Sequence, residues 1–221
     1  MGVAYNSRIV TENLVLCLDA ANTKSYPGSG TTWTDLSGRG NTGTLVNGVG
    51  YSASNGGSLT FDGVNDYVTT SAIVEAATNS NLQTISGWMI GDGALFGSNA
   101  NGTGQFHLRV SLISNVLTYR NSYYGGAAGE GDDTVSVTSR SANNIVIVKT
   151  AAEKYDVYFN AEKVLSQVTK KATVSVNFYP GYYYGGVTWN SGTVSNYSIY
   201  NRALSAAEIQ QNYNALKSRY I

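Results

Sequence analysis

The sequence predicts an all-β sandwich, and its composition and its turn spacing are the two observations behind that prediction. Charged residues make up only 13% of the 221 residues, roughly half the share in an ordinary globular domain, and 14 Lys+Arg balance 14 Asp+Glu. Gly (25), Asn (22) and Tyr (17) are abundant instead, and Gly and Asn favour turns over helices. Turn-forming residues recur about every ten positions, as in a sandwich. This composition disfavours a disordered chain, a helical bundle and a basic nucleic-acid binder.

Alternation of apolar and polar residues marks the individual strands. In Phe106–Leu112 every second side chain is apolar, so the apolar set shares one face of a sheet. Segments with these features are predicted as strands: Leu14–Ala20, Ser58–Asp62, Tyr67–Thr70, Thr84–Ile90, Gln105–Ile113, Val116–Arg120, Thr134–Thr138, Asn144–Thr150, Lys154–Asn160, Lys163–Val168, Val174–Tyr184 and Val194–Tyr200. The Gly-, Asn- and Ser-rich gaps between them are predicted as loops, notably Pro27–Gly50, Ser98–Gly104 and Tyr123–Asp133.

The C-terminal region is the exception to the β pattern. Ser205 and Glu208 form a capping box, in which each side chain satisfies a backbone N–H of the first helical turn. Ile209, Tyr213 and Leu216 then follow at the spacing of one helical face. We predict one helix of about three turns that packs on the sandwich.

The chain is predicted to be one domain without a membrane segment. Its longest apolar runs, Leu14–Leu18 and Ile145–Val148, fall far short of the ~20 residues of a membrane helix. Met1–Asn6 lacks the apolar core of a signal peptide, so we expect synthesis in a cytoplasm. Residues 1–12 are interpreted as an N-terminal arm and residues 13–221 as the domain, including the helix.

The single cysteine and the single histidine are both interpreted as structural. Cys17 lies within an apolar run, which favours a buried strand residue over a reactive thiol and leaves no partner for a disulfide. His107 stands between Phe106 and Leu108, a setting more typical of packing than of catalysis.

Several strings resemble a known family more specifically than periodicity does. Leu14–Asn22 with Ser25–Gly38 resembles the opening of a laminin G-like, concanavalin A-like domain, and Gly57–Val68 resembles that family's next signature. Ile199–Ile209 matches its closing signature. The whole, ending Asn212–Tyr220, is similar to structural proteins of tailed phages, those of marine cyanobacteria among them.

The resemblance implies a fold and a role. The fold is a two-sheet antiparallel jelly-roll sandwich with one short C-terminal helix. The role is that of a non-enzymatic virion structural protein, a capsid decoration protein or a tail component, present in multiple copies on the virion surface. No heptad stretch or repetitive shaft is present, which favours a module docked directly on other virion proteins. The alternative is a lectin-like adhesin that binds host-surface glycans.

The family motifs also explain particular turns. In Phe61–Val68, Gly63 is expected to make the turn while Asp62, Asn65 and Asp66 bind loop backbone. Asp35–Gly38 is interpreted in the same way, as side chains that satisfy a long buried loop. The hairpin between Lys154–Asn160 and Lys163–Val168 has Ala161 where the family usually has Gly, which disfavours a type I′ turn because Ala resists positive φ.

No catalytic residue is predicted. Glycosidases with this kind of sandwich often carry Glu-x-Asp-x-x-Glu on one strand, so that the acids share one groove. The segment Glu130–Val135 comes nearest, but Val135 stands where the second Glu is needed. A Ser–His–acid triad would depend on His107, and no Gly-x-Ser-x-Gly elbow exists.

Two kinds of binding site remain open. Laminin G-like domains can bind calcium, and Asp19, Asp62 and Asp66 are the candidate ligands; the alternative is that these carboxylates cap loop backbone. No other cofactor is expected. Aromatic residues beside paired glycines are candidates for glycan or partner contact: Tyr123, Tyr124, Tyr182, Tyr183, Tyr184 and Trp189. Their alternative role is packing or contact with virion proteins.

The N-terminal arm carries isolated apolar residues, including Val3, Tyr5, Ile9 and Val10. Since the first strand of a jelly roll pairs near the last, we expect the arm to lie close to the C-terminal helix and to contribute to docking. It is expected to become ordered on assembly, its apolar side chains being buried only then. The alternative is that Ile9 and Val10 extend the first strand while Met1–Ser7 stay loose.

Overall fold

The computed structural model describes residues 8–74, 79–98, 106–123, 132–169, 176–181 and 192–220, without the side chains of 55, 98, 106–109, 120–123 and 176. Within these ranges the chain forms strands and one α-helix, in this order: β1 Leu14–Asp19, β2 Thr32–Trp33, β3 Gly43–Val46, β4 Gly50–Ser52, β5 Ser58–Thr60, β6 Tyr67–Thr69, β7 Ile73–Val74, β8 Gln83–Ile90, β9 Gly93–Ser98, β10 Phe106–Ile113, β11 Val116–Tyr123, β12 Asp133–Ser136, β13 Asn143–Ala151, β14 Lys154–Phe159, β15 Glu162–Thr169, β16 Val176–Pro180, β17 Thr193–Tyr200 and α1 Ala206–Leu216. The predicted all-β fold with one C-terminal helix is confirmed.

The strands form three antiparallel sheets in two layers. One layer is an eight-stranded sheet in the order β15-β14-β13-β8-β17-β5-β4, with β1 also paired to β17. The other layer contains a six-stranded sheet, β12-β11-β10-β9-β16-β7, and a three-stranded sheet, β2-β3-β6. The last two are neighbours, because the hydroxyl of Thr70 donates to the carbonyl of Phe178 (2.8 Å) and the N–H of Phe178 donates to the carbonyl of Ala72 (2.8 Å).

The central strands of the eight-stranded sheet, β8, β13 and β17, are buried on both faces, and strand alternation explains how. In β13, Ile145 and Ile147 face the core between the two layers, while Val146 and Val148 face the opposite side. That outer side is covered by α1. A strand of this kind therefore reads as a continuous apolar run rather than as an alternating one.

The two layers are joined through aromatic side chains. Tyr197 of β17 lies fully buried, with its ring 5.2 Å from that of Phe178 (β16) and 6.0 Å from that of Trp33 (β2). Its hydroxyl donates to the carbonyl of Leu95 in β9. Gly87 of β8 leaves room for this ring, because a Cβ there would lie 3.0 Å from ring carbons of Tyr197. One residue thus contacts all three sheets.

The helix is held by its cap and by its apolar face, as predicted. The Ser205 hydroxyl accepts from the Glu208 N–H and the Glu208 carboxylate accepts from the Ser205 N–H, which completes the capping box. Arg202 donates two further hydrogen bonds to that carboxylate, and together these donors lower the pKa of Glu208 to about 2. Tyr213 stacks on Trp88 of β8 at 5.4 Å.

The N-terminal arm lies against this helix from Arg8 onward. The Val10 N–H donates to Asn212 (2.7 Å), and the Tyr200 hydroxyl donates to the Val10 carbonyl (2.9 Å). Ile9 and Val10 are half-buried beside the helix and do not extend β1, which begins at Leu14. The alternative interpretation of these two residues is therefore wrong, while the expected proximity of arm and helix is confirmed. The expectation that Ile9 and Val10 become buried only on assembly is also wrong, because both already pack against the apolar cluster under the helix. Residues 1–7 lie outside the described ranges.

Three local expectations are corrected by the structure. The predicted loop Pro27–Gly50 contains β2 and β3, and the short strands β4, β7 and β9 lie in segments predicted as irregular. The predicted strand Val174–Tyr184 is β16, which ends at Pro180. The hairpin at Asn160–Ala161 adopts φ values of 51° and 68°, the type I′ combination that Ala was expected to resist. Ala161 packs against the apolar residues beneath α1, which offsets that backbone cost.

The buried-loop interpretation of Asp35 is confirmed. Its carboxylate accepts from the N–H groups of Cys17 (2.9 Å), Ser37 (2.9 Å) and Asn41 (3.0 Å). Cys17 itself is buried, as predicted, and burial raises the pKa of its thiol to about 12. No helix in the described part of the chain is long and apolar enough to span a membrane.

We predict that the helix is stabilised chiefly by its buried face. Leu216→Ala removes a buried side chain and should lower the free energy of unfolding by about 2–5 kcal/mol. Ser205→Ala removes the N-cap and should cost about 1 kcal/mol. Gln210→Ala on the exposed side is the matched control and should stay within about 0.5 kcal/mol of the wild type. Urea denaturation measures all three, and equal small effects of Leu216→Ala and Gln210→Ala would contradict this packing.

Candidate functional site

The outer surface of the three-stranded sheet carries an ordered row of hydroxyl groups. Thr44 of β3 lies directly opposite Thr32 of β2 on one side and Thr69 of β6 on the other. Strand alternation turns their neighbours Trp33, Leu45 and Val68 into the core, so the threonines face outward, Thr69 half-buried and the other two exposed. Adjacent strands are about 4.8 Å apart, and the Thr69 hydroxyl donates to the Thr44 carbonyl (3.5 Å).

Two tyrosines continue this surface toward the six-stranded sheet. Tyr67 shares the outer face of β6 with Thr69, because Val68 between them is buried. Tyr179 shares the outer face of β16 with Asn177 for the same reason, since Phe178 is buried. The two rings lie 6.5 Å apart at an angle of 61°.

We call this surface the tyrosine–threonine face and define it by Thr32, Thr44, Tyr67, Thr69, Asn177 and Tyr179. All six side chains are neutral and combine hydrogen-bonding groups with two half-buried aromatic rings. It lies on the layer opposite α1, so the sandwich core separates it from the helix and the arm.

A tight acidic turn leads into β6 beside Tyr67. The exposed Asp62 carboxylate accepts from the N–H groups of Val64 (2.7 Å) and Asn65 (3.2 Å), and these bonds lower its pKa. Asp66 accepts from the Asp62 N–H (3.0 Å) through one oxygen, while its other oxygen is buried without a hydrogen-bond partner in the described residues. Burial raises the pKa of Asp66. The expected backbone-binding role of both carboxylates is confirmed.

The three predicted calcium ligands do not form one cluster. The Asp19 carboxylate has other partners: it pairs with Arg219 (2.7 Å) and accepts from the Ala21 N–H (3.0 Å). Within the described ranges no three His, Cys, Asp or Glu side chains come together as a metal site would require. Calcium at Asp62 and Asp66 remains an untested prediction.

The predicted aromatic contact residues fall mostly outside the description. Tyr124, Tyr182, Tyr183, Tyr184 and Trp189 lie outside the described ranges, and only the backbone of Tyr123 is described. Tyr123 and Gly181 are the last described residues before these stretches of the chain. Tyr123 pairs with Phe106, and Gly181 binds the Leu95 carbonyl near Ser111, so the two points lie about five residues, or about 17 Å, apart along β10.

Of these two points, Gly181 is next to the tyrosine–threonine face. It lies just after the end of β16, two residues beyond Tyr179, and a Cβ on Gly181 would clash with the Phe61 ring, which precedes the acidic turn. Gly181 therefore lies beside the face, whereas Tyr123 ends a strand remote from that point.

The acids considered for catalysis lie only partly within the described residues. Asp132 is exposed, Asp133 begins β12, and Glu130 lies outside the described ranges. His107 lies in β10, where its backbone pairs with Ser122, and its side chain is outside the description.

A cleft of about 480 Å³ lies on the other side of the molecule, between the arm, β1 and the end of the helix. Its walls include Ile9, Leu14 and Leu216, together with the Asp19–Arg219 ion pair. These groups pack the arm and the helix onto the sheet, so this cleft belongs to the side of the molecule where docking was predicted.

Tyr67 and Tyr179 were missed by sequence reasoning. Both sit in strands that were predicted, and the patterns Tyr67-Val68-Thr69 and Asn177-Phe178-Tyr179 do turn both tyrosines outward. What the sequence does not indicate is that β6 and β16, more than 100 residues apart, lie side by side.

Comparison with known proteins supports the fold alone. No protein-family model and no curated protein matches the chain. Among solved structures, 96% of the chain aligns with 34% of a Trypanosoma rangeli sialidase in complex with sialic acid, at 20% identity and a TM-score of 0.63. In the binding domain of Paraclostridial Mosquitocidal Protein 1, 52% of the structure aligns with 93% of this chain, at 16% identity and a TM-score of 0.66. In the binding domain of botulinum neurotoxin DC in complex with rat synaptotagmin II, 52% of the structure aligns with 94% of this chain, at 15% identity and a TM-score of 0.67. The chain thus spans about a third of the sialidase and about half of each toxin fragment.

We predict opposite effects of neutralising the two carboxylates of the acidic turn. The pKa of Asp62 is lowered in the folded state, so its charge stabilises the fold at pH values above the ordinary carboxyl range, and Asp62→Asn should lower the melting temperature at pH 7. The pKa of Asp66 is raised, so its ionisation opposes folding as the pH rises, and Asp66→Asn should leave the melting temperature unchanged or increase it.

Thermal unfolding of both variants, with calcium and with a chelator, checks this prediction. A larger loss from Asp66→Asn than from Asp62→Asn at pH 7 would contradict it. If calcium raises the melting temperature of the wild type but not of Asp66→Asn, the turn binds the cation.

Proposed function

We propose that the chain is a non-catalytic recognition module that binds a saccharide on the tyrosine–threonine face. The observation that carries the proposal is the placement of Tyr67 and Tyr179, 6.5 Å apart, beside a cross-strand row of three threonines. Binding sites commonly combine apolar contact area with a few well-placed polar groups, and this face has both.

The chemistry of the face matches that of a sugar ring. A pyranose presents C–H groups that pack on an aromatic ring and hydroxyl groups that both donate and accept. Each threonine hydroxyl likewise donates and accepts, as does the amide of Asn177. Because the threonines are held in register by the sheet, little side-chain freedom is lost when a ligand binds.

The names of the similar structures agree with a binding role without fixing its ligand. One is a sialidase in complex with sialic acid, and two are toxin binding domains, one of them in complex with a synaptotagmin. A protein partner on this face is therefore the second candidate, favoured by the enrichment of Tyr in protein interfaces.

We further propose that the module works on the surface of a tailed-phage particle, in multiple copies bound to other virion proteins. Its support is the resemblance of the opening and closing motifs described above. The two-sided architecture is compatible with this setting, since a module attached through the arm and α1 presents the tyrosine–threonine face outward.

Loss of either face tyrosine should weaken saccharide binding. Tyr67→Ala and Tyr179→Ala each remove a ring contact of about 1–1.5 kcal/mol, which corresponds to about tenfold in Kd. Tyr67→Phe keeps the ring and should retain most of the affinity. Tyr51→Ala, which removes an exposed tyrosine of β4 that contacts Tyr26, is the matched control and should bind like the wild type. Isothermal titration against the best ligand of an oligosaccharide array measures each Kd, and equal affinities of all four variants would overturn the proposed face.

Attachment to particles should depend on the opposite side of the molecule. Deleting residues 1–7 should reduce the occupancy of the protein on assembled particles, because the arm enters the fold beside α1. Tyr67→Ala is the matched control and should reach wild-type occupancy. Occupancy is measured by quantitative mass spectrometry of purified particles. A truncated protein that melts like the wild type and attaches at full occupancy would rule out docking through the arm.

A further inference from the structure

The charge pattern around the tyrosine–threonine face restricts the class of ligand. Its six defining side chains carry no charge. The acidic turn with Asp62 and Asp66 adjoins the Tyr67 end, and Arg39 stands exposed in the loop that joins β2 to β3 beyond the threonine row. Among the described residues, a ligand lying across the face meets hydroxyl groups and aromatic rings, with carboxylates next to Tyr67 and one cation, Arg39, outside the threonine row.

Such a surface is expected to bind an acidic sugar weakly. A carboxylate or sulfate that leaves water needs charged or multiple N–H donors to offset its lost hydration. Threonine hydroxyl groups supply one donor each, and the negative faces of aromatic rings repel an anion. The Asp62 carboxylate, whose lowered pKa keeps it ionised at neutral pH, adds further repulsion at the Tyr67 end.

We infer that the ligand of the tyrosine–threonine face is a neutral saccharide, free of carboxylate, sulfate and phosphate groups. The inference rests on the proposed saccharide-binding function and adds the chemical class of the ligand. It also separates this chain from the sialidase complex that it resembles in fold, since sialic acid is an anion.

The orientation of the bound chain follows from the register. Thr32, Thr44 and Thr69 form a line perpendicular to the strands, and this line leads from β2 across to β6, beside β16. An extended oligosaccharide along the line contacts one threonine per strand and ends near the two tyrosines. Longer neutral chains should therefore bind more tightly than disaccharides.

Salt dependence distinguishes the two ligand classes directly. The wild-type protein is titrated with neutral oligosaccharides and with sialylated, uronic and sulfated ones, in 50 and 500 mM NaCl. We expect the neutral class to bind with a Kd that changes by less than about twofold, because no charge pair is screened. The acidic class should show no saturable binding at either salt concentration.

A charge-adding variant tests the same point in the opposite direction. Thr44→Lys places a cation in the middle of the threonine row and should create measurable binding of acidic oligosaccharides that is lost in 500 mM NaCl. Thr44→Gln is the matched neutral control and should not. Thr44 is exposed on its strand, so both variants should fold, which their melting temperatures check.

The outcomes separate this inference from the proposed function. Preferential wild-type binding of acidic oligosaccharides, weakened about tenfold or more by salt and abolished in Tyr67→Ala, would overturn the neutral class while leaving saccharide binding intact. If a folded wild-type protein binds neither class at millimolar concentrations, the proposed function fails, and the inference fails with it.

Discussion

The architecture depends on one buried tyrosine that the two layers share. Tyr197 projects from the centre of the eight-stranded sheet, contacts Phe178 and Trp33 in the opposite layer, and donates its hydroxyl hydrogen to the Leu95 carbonyl. A buried hydroxyl without an acceptor is costly, so this bond fixes the layer spacing as well as filling the core. Gly87 makes room for the Tyr197 ring, because a Cβ at position 87 would lie 3.0 Å from its ring carbons and displace it. A single residue of β17 thus contacts β2, β9 and β16.

This arrangement gives the molecule two unlike sides. Below the eight-stranded sheet, apolar packing under α1, the Asp19–Arg219 ion pair and the bonds from Val10 and Tyr200 hold the chain's beginning and end together. On the opposite layer, the tyrosine–threonine face consists of neutral side chains, most of them hydroxylated, with two aromatic rings among them. The proposed attachment and the proposed recognition therefore use opposite surfaces of one core.

The sequence predicts the long elements well because their signals are local. The capping box at Ser205 and the stripe ending at Leu216 locate the helix, apolar runs locate β1 and β13, and alternation locates β10. The short strands β2 and β3 escape prediction because two to four residues carry no periodicity, and only their pairing with β6 defines them. The candidate face was missed for the same reason: Tyr67 and Tyr179 meet only after distant strands have been placed side by side. The turn at Ala161 shows how tertiary packing can override a local conformational preference.

The most direct test of this account is an NMR titration of the amide-labelled protein with the neutral oligosaccharide that binds best. Chemical-shift changes are expected only in β2, β3, β6 and β16, with the largest at Thr44, Tyr67 and Tyr179. The amide resonances of α1 and the arm should not shift. Shift changes centred on α1, Val10 and the cleft beside the Asp19–Arg219 pair would contradict it, because recognition would then lie on the surface assigned to attachment.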